Sequence, residues 1–166
     1  MSALANRPQG ASAKDDSRER SEQDIPPIVA AVDGSGASRA AIGEAIRLSG
    51  ELSAPIAFVY VRRGPAGFFG APVYQRRLTK EMARAGRVLD RALAVANSAG
   101  VQAEGAILEG SPRRRITEFA RDRGARIIVV GSRRRRLRQS VSTAVIRAAE
   151  RPVIVARSGP GLTAVA

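Results

Sequence analysis

Short apolar runs alternate with segments of helical periodicity through the middle of this 166-residue chain. That alternation limits the fold more than any other feature. Ile28–Asp33 (IVAAVD) is continuously apolar and ends in turn residues. Residues 38–53 set Ala41, Ala45, Leu48 and Leu52 on one helical face, with Ile42 and Ile46 beside it. Pro55–Val61 (PIAFVYV) is a second buried strand. Residues 77–98 read as a long amphipathic helix with Met82, Ala85, Val88, Leu89, Ala92 and Val95 inward. Val101–Leu108 alternates, with Val101, Ala103 and Ile107 on one face and Gln102 and Glu104 on the other, as an edge strand does. Ser111–Arg123 is a helix with Ser111 as N-cap, Pro112 in the first turn and Ile116, Phe119 and Ala120 inward. Ile127–Gly131 (IIVVG) is another buried strand. Ser140–Glu150 is a helix presenting Val141, Ala144, Val145 and Ala148, and Pro152–Arg157 is the last strand. The expected fold class is therefore α/β. A β-α-β-α-β-α-β-α-β order implies a parallel sheet with right-handed crossovers and helices on both faces. Strands apolar on both sides fit such burial.

The ends of the chain differ from the middle. Residues 1–25 are polar, charged and rich in Ser, Ala, Gly and Pro, and read as a disordered tail. Residues 26–158 form the folded domain in this reading, and 159–166 form a second tail. No apolar run reaches the length of a membrane span, and the first residues lack the apolar core of a signal peptide. The expectation is a soluble, cytoplasmic protein with no membrane partner.

Two absences narrow the chemistry. The chain holds no cysteine and no histidine. A Ser-His-Asp triad, a Cys-His pair, a disulfide framework and a His- or Cys-based metal site are excluded. No metal ligand set and no catalytic residue is expected.

In open α/β sheets, ligands bind beyond the carboxyl ends of the strands. The segments placed there are Asp33-Gly34-Ser35-Gly36, Arg62-Arg63-Gly64-Pro65, Gly110-Ser111-Pro112 with Arg113 to Arg115, and Gly131-Ser132 with Arg133 to Arg136. Asp33 is the only carboxylate at these strand ends apart from Glu109, which immediately precedes Gly110. The net charge is +13; residues 1–24 contribute −1, so the remainder carries +14. Lys14 and Lys80 are the only lysines among 28 basic residues. Arginine presents a planar fork that suits phosphate. Arginines before helix N-termini oppose the macrodipole unless an anion joins them. Arg113, Arg133, Arg134 and Arg136 are the candidate anion ligands. A solvated set of arginines pointing away from the edge is the alternative.

Four segments resemble the universal stress protein family over about residues 26–158. They are Pro27–Ser35 (PIVAAVDGS), Gly110-x-Pro112 with Ile116, Gly124–Ser132 (GARIIVVGS), and Ser140-Val141-Ser142 through Arg151–Val155 (RPVIV). The resemblance implies the adenine-nucleotide alpha-hydrolase-like fold, a five-stranded parallel sheet in order 3-2-1-4-5. It implies ATP or another adenine nucleotide as ligand, and a homodimer formed through the last strand. Val153–Ala156, an apolar edge strand, needs such cover. Position by position, Asp33 matches the aspartate near adenine and ribose, and Val61 an apolar contact ending strand two. Gly131 matches the first glycine of the phosphate loop. Ser140 and Val141 match the last two positions of that motif. Arg134 and Gln139 stand where the motif has its other glycines, and the stretch from Gly131 to Ser140 is five residues short of it. A loop this short cannot wrap a triphosphate in the family manner; arginines in place of backbone amides would hold phosphate instead. These positions also have plain structural readings. Asp33 braces a turn, Ser140 caps a helix, and Gly131 ends a strand.

Residues 62–77 (RRGPAGFFGAPVYQRR) read as a long irregular loop, with Phe68, Phe69 and Tyr74 either packed back or offered to a partner. Three functions follow: a non-catalytic stress-response module that binds a nucleotide or other phosphate-bearing anion and dimerises; a polyanion or nucleic-acid binder using the arginine edge; and a nucleotide hydrolase. No base-stacking platform or DNA-reading motif supports the second. Two carboxylates without a metal constellation support the third only weakly.

Overall fold

The computed structural model describes residues 25–64, 71–132 and 141–157. The tails, apart from Ile25, lie outside these, as do Phe68, Phe69 and the segment from Arg133 to Ser140. The elements are β1 (Ile28–Ala31), α1 (Gly36–Leu52), β2 (Ile56–Arg62), α2 (Ala71–Ser98), β3 (Ala103–Glu109), α3 (Pro112–Asp122), β4 (Ile127–Ser132), α4 (Val141–Ala148) and β5 (Val153–Arg157). All strand pairs are parallel, in the order β3-β2-β1-β4-β5. This is the topology that the alternation implies.

Strand periodicity divides the interior into two cores. Ile28, Ala30, Ile56, Phe58 and Val129 face α1 and α2, where Ala41, Ala45, Leu48, Leu89, Ala92 and Ala96 meet them. Val29, Ala57, Val59, Ile128 and Val130 face the other way, onto Ile116 and Ala120 of α3 and Val145 of α4. Ile28, Ile56, Phe58 and Ile128 are withdrawn from water almost completely. Each such side chain contributes about 1.5–3 kcal/mol relative to exposure. Burial on both sides is why the central strands are continuously apolar. The edge strand β3 is half-buried at Ala103, Ala106, Ile107 and Leu108, and exposed at Glu104, Gly105 and Glu109.

The structure corrects several local expectations. α2 begins at Ala71 rather than near 77, so the loop after β2 is shorter than 62–77. Pro72 falls in the first turn, where its missing N–H has no helical partner to lose. Arg76 and Arg77 follow on exposed positions, so this turn carries no apolar rhythm to read. Met82 and Val95 are 40% and 50% exposed rather than inward, because the buried row is Ala85, Leu89, Ala92 and Ala96. Val141 is 42% exposed and Ala148 is also outside. Ser142 and Val145 take the inward face of α4 instead. Ser111 occupies the N-cap of α3, but its side chain makes no capping hydrogen bond.

Candidate functional site

The site begins with a turn that closes on itself. β1 ends beside β2, where the Val32 N–H donates to the Val59 carbonyl at 2.9 Å. The chain then reverses at Asp33-Gly34-Ser35. Gly34 has φ +80, and a Cβ there would lie 2.9 Å from Val88 Cγ2. Both the left-handed backbone and the close helix require glycine. The Ser35 N–H donates to Asp33 Oδ1 at 2.9 Å, and the Asp33 N–H donates to Ser38 Oγ at 3.2 Å. The Ser38 N–H donates to Ser35 Oγ at 3.3 Å, which caps α1. Asp33 therefore braces its turn while remaining exposed at the strand end.

Packing by itself requires a glycine at 131. A Cβ there would sit 2.1 Å from the Ala37 carbonyl oxygen and 2.4 Å from its carbon. The first turn of α1 rests directly on β4, and only a bare backbone permits that approach. The Ser142 hydroxyl donates to the Gly131 carbonyl at 2.8 Å, which ties the start of α4 to the end of β4. One glycine thus sets the spacing of two helices against the sheet.

These turns enclose a cleft of about 490 Å³. Asp33 comes to it from the first turn, Val61 from β2, Gly131 from β4 and Val141 from α4. Four of the five positions matched by resemblance are therefore brought together from separate parts of the chain. The fifth, Ser140, lies outside the described residues. The floor is apolar, with Ala31, Val59, Val61, Val130 and Ile116, while Asp33, Ser35, Ser38 and Ser142 make a polar side. α1, α3 and α4 all start at this end, so their N-terminal dipoles favour an anion. The arrangement suits a flat, largely apolar group joined to a polar, negatively charged one. Among the described residues, no group of three or more His, Cys, Asp or Glu side chains could hold a metal ion.

Several lining residues go beyond the sequence reading. Val59 shares the strand parity of Val61, and Pro112 belongs to the Gly-x-Pro segment, so both carried a signal. Ile116 and Val130 were legible only as core. Ser142 gave no signal: its partner, the Gly131 carbonyl, belongs to another element.

Among the described residues, most arginines of this edge turn to carboxylates or to solvent rather than to the cleft. Val61 faces the cleft, so Arg62, next along the strand, faces the opposite layer. There it pairs with Glu109, its register partner on β3, and lies 3.9 Å from Glu81 of α2. Arg114 and Arg115 both pair with Glu118, at 2.7 Å and 3.1 Å. The hydrogen bond from Arg114 holds the Glu118 carboxyl below its ordinary range and pushes the Arg114 guanidinium up. Arg113 is exposed and does not line the cleft, because the first turn of α3 presents Pro112 and Ile116 there instead. Arg133, Arg134 and Arg136 lie outside the described residues.

The comparisons agree with this geometry. The model of the universal stress protein family matches residues 25–157. Universal stress protein YxiE of Bacillus subtilis is 29% identical over 144 residues, which cover 78% of this chain and 97% of that protein. A universal stress protein from Archaeoglobus fulgidus, solved in complex with dAMP, is 26% identical with a TM-score of 0.63, covering 79% of this chain and 97% of its own. Universal stress protein UspA from Lactobacillus plantarum, at 24% identity, shares the fold with a TM-score of 0.70 over 80% of this chain and 98% of its own. The sheet order is that of the adenine-nucleotide alpha-hydrolase-like fold seen in these relatives. With a family match that spans every described residue, this chain belongs to the universal stress protein family.

Proposed function

We propose that this protein is a non-catalytic stress-response module that binds an adenine nucleotide in the cleft at the carboxyl ends of its strands. The observation that carries the reading is the convergence of Asp33, Val61, Gly131 and Val141 on one cleft with an apolar floor and a polar side. The dAMP complex of the Archaeoglobus fulgidus relative supports the ligand class. The base lies over Val59 and Val61, and the sugar lies toward Asp33. The phosphate lies toward the start of α4, where Arg133, Arg134 and Arg136 follow β4 in the chain. Guanidinium groups there replace the glycine amides that the sequence lacks. Because the stretch before α4 is short, a monophosphate fits this site better than a triphosphate.

Isothermal titration calorimetry with AMP, dAMP and ATP in low salt tests the reading. We expect saturable heat from the monophosphates and weaker binding of ATP. No heat from any of the three overturns it. The edge strand β5 keeps Val153, Ile154 and Val155 half-buried, and a second copy is the cover we propose for it. A monomer by sedimentation at micromolar concentration overturns the dimer. A polyanion along this edge has less support, because among the described residues Arg62, Arg114 and Arg115 already hold carboxylates.

A further inference from the structure

Most described arginines on the other helices stand beside a carboxylate. On α1, Arg47 bridges Glu44 and Glu51. On and after α3, Arg114 and Arg115 hold Glu118, Arg121 holds Asp122 and Arg123 holds Glu104. The outer side of α2 breaks this pattern. Arg76, Lys80, Arg84, Arg87 and Arg91 follow one another at steps of four, four, three and four residues. That spacing puts all five on one stripe of the helix. All five are exposed. None takes part in the ion pairs formed among the described residues. The acidic side chains of α2, Glu81 and Asp90, flank the stripe on opposite sides, and Glu81 leans toward Arg62.

We propose that this stripe of α2 is a docking surface for the phosphate backbone of double-stranded nucleic acid, bound without regard to sequence. The stripe runs for about 22 Å at the usual helical rise, with a cation at intervals of about 4.5–6 Å. A rigid row of this kind can meet several consecutive phosphates, and the guanidinium fork fits each of them. Repulsion between neighbouring cations on one helix face is relieved when a polyanion lies along it.

Two other partners fit less well. An anionic membrane would need an apolar face beside the cations. The apolar row of α2 is already buried on the sheet through Ala85, Leu89, Ala92 and Ala96, and its exposed Met82 and Val95 stand 13 residues apart and make no continuous apolar face. A single strand would need aromatic rings on which bases stack. The stripe carries none, and its flanking residues Ala83 and Ala94 are small. The surface is also separate from the proposed nucleotide cleft. α2 packs over β2 and β3, at the opposite side of the sheet from β5. A dimer made through β5 therefore leaves the stripe open.

The test uses the full chain and a fluorescein-labelled DNA duplex of mixed sequence, followed by anisotropy across a salt series. For the unaltered protein, log K should fall with log salt at a slope of about −3.6 to −4.5, which corresponds to four or five phosphates. The triple variant Arg84→Gln, Arg87→Gln, Arg91→Gln should lose about 2–3 units of that slope and bind at least about tenfold more weakly in low salt. Its circular dichroism and its AMP isotherm should match the unaltered protein. Three results overturn the proposal. One is an unchanged slope in the triple variant. Another is loss of the slope in Arg133→Gln, Arg134→Gln, Arg136→Gln instead. The third is binding to phosphatidylserine vesicles with no binding to the duplex.

Discussion

The sheet carries a cleft at each end, about 490 Å³ at the carboxyl ends of the strands and about 540 Å³ at the amino ends. The two are alike in size and opposite in construction. The amino-end cleft is lined by Ile25, Pro27, Pro55 and Gln102, and by the Glu104–Arg123 ion pair with Asp122 beside it. Crossover helices finish at this end, so their carbonyl ends face it. The carboxyl-end cleft receives the starts of α1, α3 and α4 and the self-bonded turn at Asp33. A parallel sheet makes this difference unavoidable, because each strand runs one way and each crossover helix returns. Volume alone does not mark a site; the direction of the dipoles around it separates the two.

Four substitutions sharpen or break that contrast. Gly131→Ala should have the largest effect. Its Cβ would meet the Ala37 carbonyl at 2.1 Å, so α1 must leave β4. A stability loss of about 3 kcal/mol or more in urea unfolding, together with loss of AMP binding, is expected. A folded, AMP-binding Gly131→Ala protein would show that the cleft does not depend on that approach. Val61→Arg comes next. It fills the floor from a half-buried position, so AMP affinity should drop by about 100-fold in calorimetry while the melting temperature stays nearly constant. Ser142→Ala removes the hydroxyl that donates to the Gly131 carbonyl and should lower stability by about 1 kcal/mol. Arg123→Ala, at the amino end, should be the mildest. The ion pair with Glu104 is largely exposed, so a change within about 1 kcal/mol is expected, with the AMP isotherm unaltered. Lost AMP binding in this last variant would reverse the assignment of the two ends.

The positions of the site were more legible than its reasons. Asp33, Val61, Gly131 and Val141 are spread over more than a hundred residues, yet strand ends could be recognised from apolar runs that stop at turns. Once the alternation is read, topology carries those ends to one side. The reason for Gly131 was not legible, because it depends on Ala37, a residue from another element. The same holds for Ser142, which reads as an ordinary helix serine until the Gly131 carbonyl is placed beside it. The arginine edge was legible as charge but not as free charge. Arg62 and Glu109 are 47 residues apart, and they meet only because β2 and β3 pair in that register. Met82 and Val95 show the reverse failure. Both are apolar, and both fit a loose helical rhythm, but a helix on a flat sheet has room for one narrow row. Alanines at 85, 92 and 96 take it because they allow close packing.

The sequence by itself determined the class of fold, the order of its elements and the family. Strand and helix periods are local properties, and parallel connectivity follows from them. The tertiary structure alone decided which charges are neutralised, why Gly131 must be glycine, and where, among the described residues, a row of cations remains outside the ion pairs. Those are properties of contacts between distant residues, and a contact exists only after the chain has packed. The carboxyl-end cleft stands between the two: its place was set by local pattern, and its shape by the approach of α1 to β4.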